Sequence, residues 1–218
     1  MNSNLPKQTS IVIIGGGIMG CSTAYHLTKN GCQDVILLER AKLTCGTTWH
    51  SAAQVRQLRS TESLTRLVQN SVNLYSNLGN ETGQATGWKE TGSLSIANNQ
   101  DRLTHIRRQA SLSRAFGIGA EEISVKQAAE KWPLMRNDDL LGAVYSPSDG
   151  RVNPSDVCAA LVKASKSRGL RVFEDTPVTG ISTKNGRVSS IQTSKGEISC
   201  EKIVNCAGIW GRKLAGMA

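Results

Sequence analysis

SIVIIGGGIMG, residues 10–20, joins an apolar strand to a glycine-rich turn. Ile11–Ile14 are all β-branched, which favours a buried strand. Gly15, Gly17 and Gly20 then follow in the spacing G-x-G-x-x-G. We expect Gly15 to permit the tight turn, Gly17 to let the backbone approach a diphosphate, and Gly20 to let the next helix pack closely on the sheet. The stretch therefore predicts a phosphate-binding strand–turn–helix unit.

A helix and a second strand complete this unit. Apolar residues recur at helical spacing after the turn, and DVILLER at residues 34–40 is a second apolar strand. The start of the helix offers the N–H groups of Ile18 and Met19 to an anion. Glu39 ends the second strand, where an acid accepts hydrogen bonds from ribose hydroxyls and disfavours the 2′-phosphate of NADP. With the adjacent Arg40, these residues predict a dinucleotide site, for which NAD and FAD are both open.

The composition argues against two classes of partner. The chain has 218 residues and a formal net charge of +9, but only 4% aromatic residues, which is poor for stacking nucleic-acid bases. The densest basic group lies in one expected helix and is interpreted as a solvated face: Arg102, Arg107, Arg108 and Arg114. No apolar run approaches the ~18 residues of a membrane span. We therefore expect neither a nucleic-acid partner nor a membrane span.

The cysteines indicate a reducing compartment. No two of the six cysteines are spaced C-x-x-C, and the three histidines are far apart, so neither a zinc site nor a dithiol motif is expected. Most cysteines fall in apolar segments, as reduced core thiols do. The polar N-terminus lacks the apolar region of a signal peptide. We expect a cytoplasmic protein, or one of the mitochondrial matrix if the source is eukaryotic.

The order of the patterns predicts an α/β fold in which one region is inserted into another. Residues 1–9 are expected to form a disordered lead-in. Residues 10–60 and 151–218 are expected to form the two parts of the nucleotide-binding domain, whose first half resembles a doubly wound sheet. Residues 61–150 are expected to form an inserted α+β region. Because the pattern of another helix begins as the chain stops, we expect a fragment that ends before a further C-terminal segment.

Local signals mark individual elements. Helical periodicity covers residues 61–78 and 99–116. Ser124, followed three residues later by Gln, predicts a capping box. Asn153, followed by Pro, predicts another helix start, and Asn185-Gly186 predicts a two-residue hairpin turn.

A second motif, TTWH, occupies Thr47–His50. The eleven residues from Glu39 to His50 span up to about 36 Å when extended, enough to run from an adenosine ribose to a flavin ring. The hydroxyls of Thr47 and Thr48 suit phosphate oxygens and ribityl hydroxyls. A largely neutral imidazole at pH 7 is a nucleophile. The motif therefore favours a flavin, with His50 at its ring.

Together, GGGIMGCSTAYHLTKNG, VILLER and LTCGTTWHSAAQ resemble the flavin-dependent amine oxidoreductases of the D-amino-acid oxidase superfamily, and most closely their dimethylglycine and sarcosine dehydrogenase branch. The resemblance implies a Rossmann-like FAD-binding domain with an inserted α+β substrate region. It also implies a covalent bond from His50 to the 8α carbon of FAD. In DTPVTGI it gives Val178 an adenine-binding backbone, and in KIVNCAGIWG it gives Ala207 and Gly208 flavin-contacting backbones.

The same resemblance implies oxidation of a methylated secondary or tertiary amine, such as dimethylglycine or sarcosine, by hydride transfer to the flavin. Tetrahydrofolate takes the one-carbon unit in relatives that carry a folate domain, and the electron acceptor is open. Arg56 and Arg59, on an expected helix SAAQVRQLRS, are candidates to bind the substrate carboxylate. Tyr145 is a candidate to line the substrate cavity. No side chain is identified as a catalytic acid or base.

Three alternatives stay open. The same scaffold serves other FAD-dependent enzymes of the D-amino-acid or glycerol-3-phosphate dehydrogenase type, which would release flavin in acid. An NAD-dependent enzyme would lack flavin absorbance. An inactive FAD-binding fragment would bind flavin without oxidising dimethylglycine or sarcosine.

Overall fold

The chain forms two compact units in a computed structural model that describes residues 4–218. The first unit comprises the chain up to Ala52 together with Leu78–Thr86 and Asn153–Ala218. The second unit comprises Ala53–Asn77 and Gly87–Val152. The second unit is thus an insertion in the first, as the sequence predicts.

The described residues contain these strands, in chain order: β1 (Gln8–Ile14), β2 (Val35–Leu38), β3 (Gln54–Val55), β4 (Ser93–Ala97), β5 (Glu121–Ile123), β6 (Gly142–Ser146), β7 (Gly150–Arg151), β8 (Arg171–Phe173), β9 (Val178–Lys184), β10 (Arg187–Thr193) and β11 (Gly196–Asn205). The helices are α1 (Ile18–Lys29), α2 (Glu62–Thr82), α3 (Gln100–Ala115), α4 (Val125–Lys131), α5 (Pro154–Lys166) and α6 (Gly211–Ala215). A short 3-10 helix spans Gly208–Trp210.

The first unit is built on a six-stranded sheet in the order β8-β2-β1-β11-β10-β9. The first four strands are parallel, whereas β10 pairs antiparallel with both of its neighbours. Strand β1 lies between β2, in which every residue is buried and apolar, and β11, which is buried in part. Helix α1 packs against α5. The predicted Rossmann-like α/β architecture is therefore confirmed.

The second unit contains a three-stranded antiparallel sheet in the order β4-β6-β5. Helix α3 covers one face, where its buried side chains, such as Ile106, contact Ala97 and Val144. Helix α4 covers the other face, where Ala128 contacts Ala143. The strands β3 and β7 form a separate two-stranded ribbon. This arrangement matches the α+β insertion that was expected.

The local signals are confirmed where they lie within one element. The side chain of Asn153 accepts hydrogen bonds from the first turn of α5, with Pro following it at N1. Ser124 forms the reciprocal capping box at the start of α4. Asn185 and Gly186 both have positive φ, at 53° and 70°, as a type I′ turn requires. These elements begin and end where short-range chemistry dictates.

Domain boundaries differ from the predicted ones. Strand β1 begins at Gln8, inside the expected lead-in of residues 1–9, because Gln8 pairs with Ser199 of β11. Residues 1–3 of that lead-in lie outside the described residues. The insertion begins at Ala53 rather than at residue 61, and Leu78–Thr86 returns to the first unit. Long-range pairing, which no local pattern encodes, sets these limits.

The expected helix SAAQVRQLRS is wrong. Ala53 has a φ of +59°, in the left-handed region, and Gln54 pairs with Arg151 in the β3–β7 ribbon. Helix α2 starts only at Glu62. Arg56 and Arg59 therefore lie in an extended and irregular segment, which is held by contacts described below.

Membrane-spanning helices, disulfides and metal-ligand clusters were not expected from the sequence. Within residues 4–218, no helix is both long and apolar enough to cross a bilayer. All six cysteines are free, and no cluster of three or more potential metal ligands occurs among the same residues.

Glu81, near the end of α2, joins a partly exposed polar network around the buried Tyr25 in the first unit. Its two carboxylate oxygens accept hydrogen bonds from the buried Tyr25 hydroxyl at 2.7 Å and from the Arg168 guanidinium at 2.6 Å. Lys29 in turn donates to the Tyr25 hydroxyl at 3.1 Å. The Tyr25 hydrogen bond, followed by that of Arg168, lowers the pKa of Glu81. The network therefore stabilises the ionised carboxylate.

We expect Glu81→Gln to lower the free energy of unfolding by about 1–2 kcal/mol at pH 7, because charged hydrogen bonds are lost. Glu62→Gln, which removes an exposed i,i+4 pair with Arg66 on the same helix, should cost less than about 0.5 kcal/mol. Because the folded pKa is lowered, the Glu81 contribution is present above about pH 4.5 and is lost as the pH falls below it. Urea unfolding of both variants at pH 7 and pH 4 measures this, and equal costs at both sites would contradict it.

Candidate cofactor and substrate sites

The glycine turn is closed by backbone packing. Gly15 has a φ of +113°, and a Cβ there would overlap the carbonyl oxygen of Cys206 in the loop after β11. A Cβ at Gly20 would overlap the carbonyl oxygen of Gly15 itself. The backbone N–H of Cys206 also donates to the carbonyl of Ile14 at 2.8 Å. The first and third glycines of the motif thus let β1, α1 and the β11 loop approach one another closely.

The second glycine of the motif faces a loop hydroxyl. A Cβ at Gly17 would lie 2.9 Å from Oγ1 of Thr48, and the backbone N–H of Ile18 donates to that same Oγ1 at 3.0 Å. Because Gly17 is the N-cap of α1 and has no side chain, Thr48 supplies the capping hydroxyl from a distance. Met19 in the same turn is 68% exposed. Helix N–H groups at this accessible turn suit a diphosphate, and so does a hydroxyl beside them.

Glu39 connects the end of β2 to the glycine turn. Its buried carboxylate accepts hydrogen bonds from the backbone N–H of Gly16 at 2.6 Å and of Ala41 at 3.0 Å. Each carboxylate oxygen keeps further lone-pair capacity, which fits the expected bond to a ribose hydroxyl. The backbone N–H of Thr176 also donates to the Glu39 carbonyl at 2.8 Å. This contact brings the segment before Val178, the expected adenine contact, beside the expected ribose contact.

The loop from Arg40 to His50 folds back over the glycine turn. The backbone N–H of Thr44 donates to the Gly16 carbonyl at 2.9 Å, and that of Leu43 donates to the Glu174 carboxylate at 2.7 Å. His50 is exposed and follows the capping Thr48 by two residues. The loop therefore holds the imidazole close in sequence to a residue fixed at the start of α1.

The loop after β11 meets the loop after β2. The Arg40 guanidinium lies 3.8 Å from the centre of the Trp210 ring, a cation–π contact. The Trp210 ring also lies 3.9 Å from where a Cβ of Gly46 would be. Both loops leave the carboxyl ends of parallel strands, where ligands bind in doubly wound sheets. Ala207 and Gly208 lie in this second loop, beside the glycine turn.

The first unit contains all the residues that the sequence predicts for the cofactor, which stay predictions as cofactor contacts: Gly15, Gly17, Ile18, Met19, Gly20, Glu39, Arg40, Thr47, Thr48, His50, Val178, Ala207 and Gly208. Sequence reasoning missed three partners of that set, namely Gly16, Glu174 and Trp210. Gly16 and Trp210 stand inside the quoted motifs, and this position in the sequence could have marked them as candidates. Glu174 gave no signal, because its role depends on a fold that brings it to Leu43.

The second unit holds the substrate-binding candidates. The Arg56 guanidinium donates from one terminal nitrogen to Oγ of Ser95 at 2.7 Å, and its Nε is buried without a partner. The Arg59 guanidinium donates to the carbonyl of its neighbour Leu58 at 3.3 Å. Of the two, Arg56 has the buried, unsatisfied donor that a carboxylate could accept from.

Tyr145 lies apart from Arg56. Its ring packs in the cluster of Ala128 and Ala143 on the α4 face of the sheet, and Lys131 lies 3.8 Å from the ring centre. Ser95, the partner of Arg56, lies opposite Val144 on the face covered by α3. Because neighbouring strand residues point to opposite faces, Tyr145 and the Arg56 contact lie on opposite sides of one sheet. The structure gives Tyr145 a packing role and does not bring it to Arg56.

Comparison with known proteins identifies the family. The family described as DAO, FAD dependent oxidoreductase, matches residues 10–218. The chain belongs to this family. Its FAD dependence decides between the two dinucleotides that the glycine motif left open, so the prediction of FAD is confirmed and the NAD alternative is wrong.

Individual relatives agree with the family. The chain is 41% identical to sarcosine dehydrogenase of Mus musculus over 98% of its length, and 33% identical to dimethylglycine dehydrogenase of Rattus norvegicus over 96%. It is also 42% identical to the regulatory subunit of pyruvate dehydrogenase phosphatase of Mus musculus over 96%. In each case it spans 24% of the relative's length. The resemblance to the dimethylglycine and sarcosine dehydrogenase branch is confirmed.

A solved structure shows the same fold. The crystal structure of L-proline dehydrogenase from P. horikoshii superposes with a TM-score of 0.91 at 28% identity, covering 98% of this chain and 56% of the other. The fold of this chain is therefore shared with that dehydrogenase.

We expect Gly20→Ala to lower the free energy of unfolding by at least about 2 kcal/mol, because its Cβ would overlap backbone that cannot move aside. Gly119→Ala is the matched control, since a Cβ there meets nothing within 4 Å, and it should change stability by less than about 1 kcal/mol. Urea unfolding of both variants measures the difference. Equal stability of the two would show that the close packing at the turn is not required.

Proposed function

We propose that the chain provides the FAD-binding and amine-recognition parts of an oxidoreductase that oxidises a methylated secondary or tertiary amine such as sarcosine or dimethylglycine. One observation carries the proposal. Thr48 of the TTWH loop caps α1 at the glycine turn, and His50 lies two residues further along the same loop. The similarity to sarcosine and dimethylglycine dehydrogenases supports the same reaction class.

The residues of the first unit would hold the cofactor as follows. The N-terminal turn of α1 binds the diphosphate, Glu39 accepts from a ribose hydroxyl, and the backbone at Val178 contacts adenine. The backbones of Ala207 and Gly208 contact the flavin. Bound FAD supplies the hydride acceptor for the substrate C–H bond, and the protein supplies binding and orientation. The proposal assigns no side chain of the chain as a catalytic acid or base.

His50 is proposed to bond covalently to the flavin. Its imidazole is exposed, and no side-chain partner of it occurs among the described contacts. A neutral imidazole in such a position can act as a nucleophile. A covalent bond would tether the ring at the end of the TTWH loop. It would also keep the cofactor on the protein through denaturation.

His50→Ala should abolish flavin fluorescence on an acid-denatured gel of the FAD-loaded protein. His105→Ala, which removes an exposed histidine from α3 in the second unit, should leave the fluorescence unchanged. Mass spectrometry of the tryptic peptide that contains His50 should show the added mass of FAD. Fluorescence that survives His50→Ala would place the attachment elsewhere, and its absence from all variants would mean a non-covalent cofactor.

Arg56 is proposed to bind the carboxylate of the amine substrate. Its guanidinium has one nitrogen fixed by Ser95 and a second, buried nitrogen without an acceptor. A carboxylate would satisfy that donor with a charge-assisted hydrogen bond. Arg59, three residues further on, is the second candidate for the same anion.

We expect a full-length protein that contains this chain, loaded with FAD, to oxidise sarcosine or dimethylglycine with an artificial electron acceptor. Arg56→Ala should raise KM by about 10- to 100-fold with little change in kcat. The lost hydrogen bond to the carboxylate, of about 1.5–3 kcal/mol, stabilises the bound substrate and the transition state equally. Arg108→Ala, on the exposed face of α3, is the matched control and should leave KM unchanged. An unchanged KM in Arg56→Ala would remove this residue from the site.

A second function is favoured by one comparison. The chain is as similar to the regulatory subunit of pyruvate dehydrogenase phosphatase as to sarcosine dehydrogenase. In this alternative the FAD-binding unit serves regulation, and the bound flavin is not reduced by methylated amines. Anaerobic addition of sarcosine and of dimethylglycine distinguishes the two functions, since loss of the visible absorbance of oxidised flavin supports the enzyme. A flavin that stays oxidised with both amines supports regulation.

The proposed partners follow the same branch. We propose that tetrahydrofolate takes up the one-carbon unit in a longer polypeptide, and that a separate acceptor reoxidises the flavin. We further propose a location in the cytoplasm, or in the mitochondrial matrix if the source is eukaryotic; the named dehydrogenases of mouse and rat are mitochondrial.

A further inference from the structure

A buried carboxylate, that of Asp149, joins three segments of the second unit. Asp149 lies in the turn between β6 and β7 and is only 1% exposed. One of its carboxylate oxygens accepts from the backbone N–H of Gln57 at 2.8 Å, and the other accepts from the Ser93 hydroxyl at 2.6 Å. Its own carbonyl accepts from the backbone N–H of Gly92 at 2.8 Å. Because the side chain is almost completely buried, Asp149 is not placed to touch a substrate.

These contacts hold the segment that carries Arg56. Gln57 follows Arg56 directly, so the hydrogen bond from its N–H to Asp149 fixes the backbone beside the guanidinium. The Gln57 side chain adds a second attachment, donating to the carbonyl and hydroxyl of Ser148 at 2.9 and 2.8 Å. The segment has no regular secondary structure after β3, so these side-chain contacts replace the ladder of hydrogen bonds that would otherwise fix it.

Asp149 and Arg56 meet β4 on the same face. Ser93 bonds Asp149 and Ser95 bonds Arg56, and residues two apart in a strand point to one side. The two serines therefore tie the Arg56 segment to β4 at two points about 7 Å apart. Among the residues that the structure describes, Asp149 bonds to neutral donors and forms no ion pair with Arg56. The carboxylate thus fixes the arginine's backbone without neutralising its charge.

We propose that Asp149 is a positioning residue for the substrate-binding arginine, Arg56. By fixing the Gln57 backbone against β4, it holds the Arg56 guanidinium where Ser95 takes one nitrogen and the buried Nε is left for the substrate carboxylate. The inference rests on the proposed carboxylate-binding role of Arg56.

The charge of Asp149 strengthens both contacts of its side chain. The Gln57 N–H and the Ser93 hydroxyl each donate to an ionised oxygen, which makes both hydrogen bonds charge-assisted. Asparagine has nearly the same shape, but it keeps both contacts only if the Ser93 hydroxyl turns round to accept from its NH2 group, and both hydrogen bonds are then between neutral groups. Asp149→Asn therefore weakens the attachment of the Gln57 segment to β4 while conserving the volume of the side chain.

The test is steady-state oxidation of sarcosine by the FAD-loaded protein. Asp149→Asn should raise KM by about 5- to 20-fold with kcat changed by less than about 2-fold, because only carboxylate binding is weakened. Asp139→Asn, at an exposed position of the same unit, is the matched control and should leave both constants unchanged. In the Arg56→Ala background, Asp149→Asn should add less than about 2-fold to KM, since its effect acts through the arginine.

The possible outcomes separate the inference from the proposed function. An Arg56→Ala variant with normal KM would overturn the carboxylate role of Arg56, and the inference with it. A raised KM in Arg56→Ala, together with a normal KM in Asp149→Asn, would overturn the positioning role alone. So would effects of the two substitutions that multiply in the double variant. If Asp149→Asn does not fold, Ser93→Ala, which removes one of the two donors, takes its place with the same expectations.

Discussion

The cofactor site depends on the close approach of three backbone segments at the end of β1. Gly20 packs on the Gly15 carbonyl, and Gly15 packs on the carbonyl of Cys206. A side chain at either glycine would push α1 or the β11 loop away from the strand. With the segments in contact, the N-terminus of α1 and the loops after β2 and β11 share one edge of the sheet. The cofactor residues are neighbours only because this edge is tightly packed.

The loop that carries TTWH depends on the same edge. Thr48 caps α1, and Glu39 bonds Gly16, so the glycine turn and the loop after β2 hold each other in place. This mutual support suggests why a hydroxyl stands two residues before His50: the contact that fixes the helix start also fixes the loop that presents the imidazole. The proposed sites for the diphosphate and for the flavin ring therefore belong to one local structure.

Much of the fold could be predicted from the sequence because its signals are local. Glycine spacing, the Asn153 and Ser124 caps, and the Asn185-Gly186 turn each act within a few residues, and all of them appear where expected. The cofactor residues could be proposed for the same reason, since most of them stand in short motifs. The family resemblance added Val178, which composition and spacing alone do not mark.

The remainder depends on contacts between distant residues. The segment after His50 has helical periodicity, but the left-handed Ala53 and the bond from Gln57 to Asp149 hold it extended, and those partners are 92 residues apart. Likewise, no pattern in the sequence reveals that Tyr145 faces α4 while Ser95 holds Arg56 on the other side. The backbone of the Arg56 segment and the separation of Arg56 from Tyr145 could therefore not be predicted from the sequence.

The central claim is that FAD bound at the glycine turn brings its ring to His50. A crystal structure of the FAD-loaded protein tests this most directly. We expect the diphosphate at the N-terminus of α1, and continuous electron density joining the isoalloxazine to the imidazole of His50. A diphosphate bound elsewhere, or a flavin ring out of reach of His50, would contradict the account.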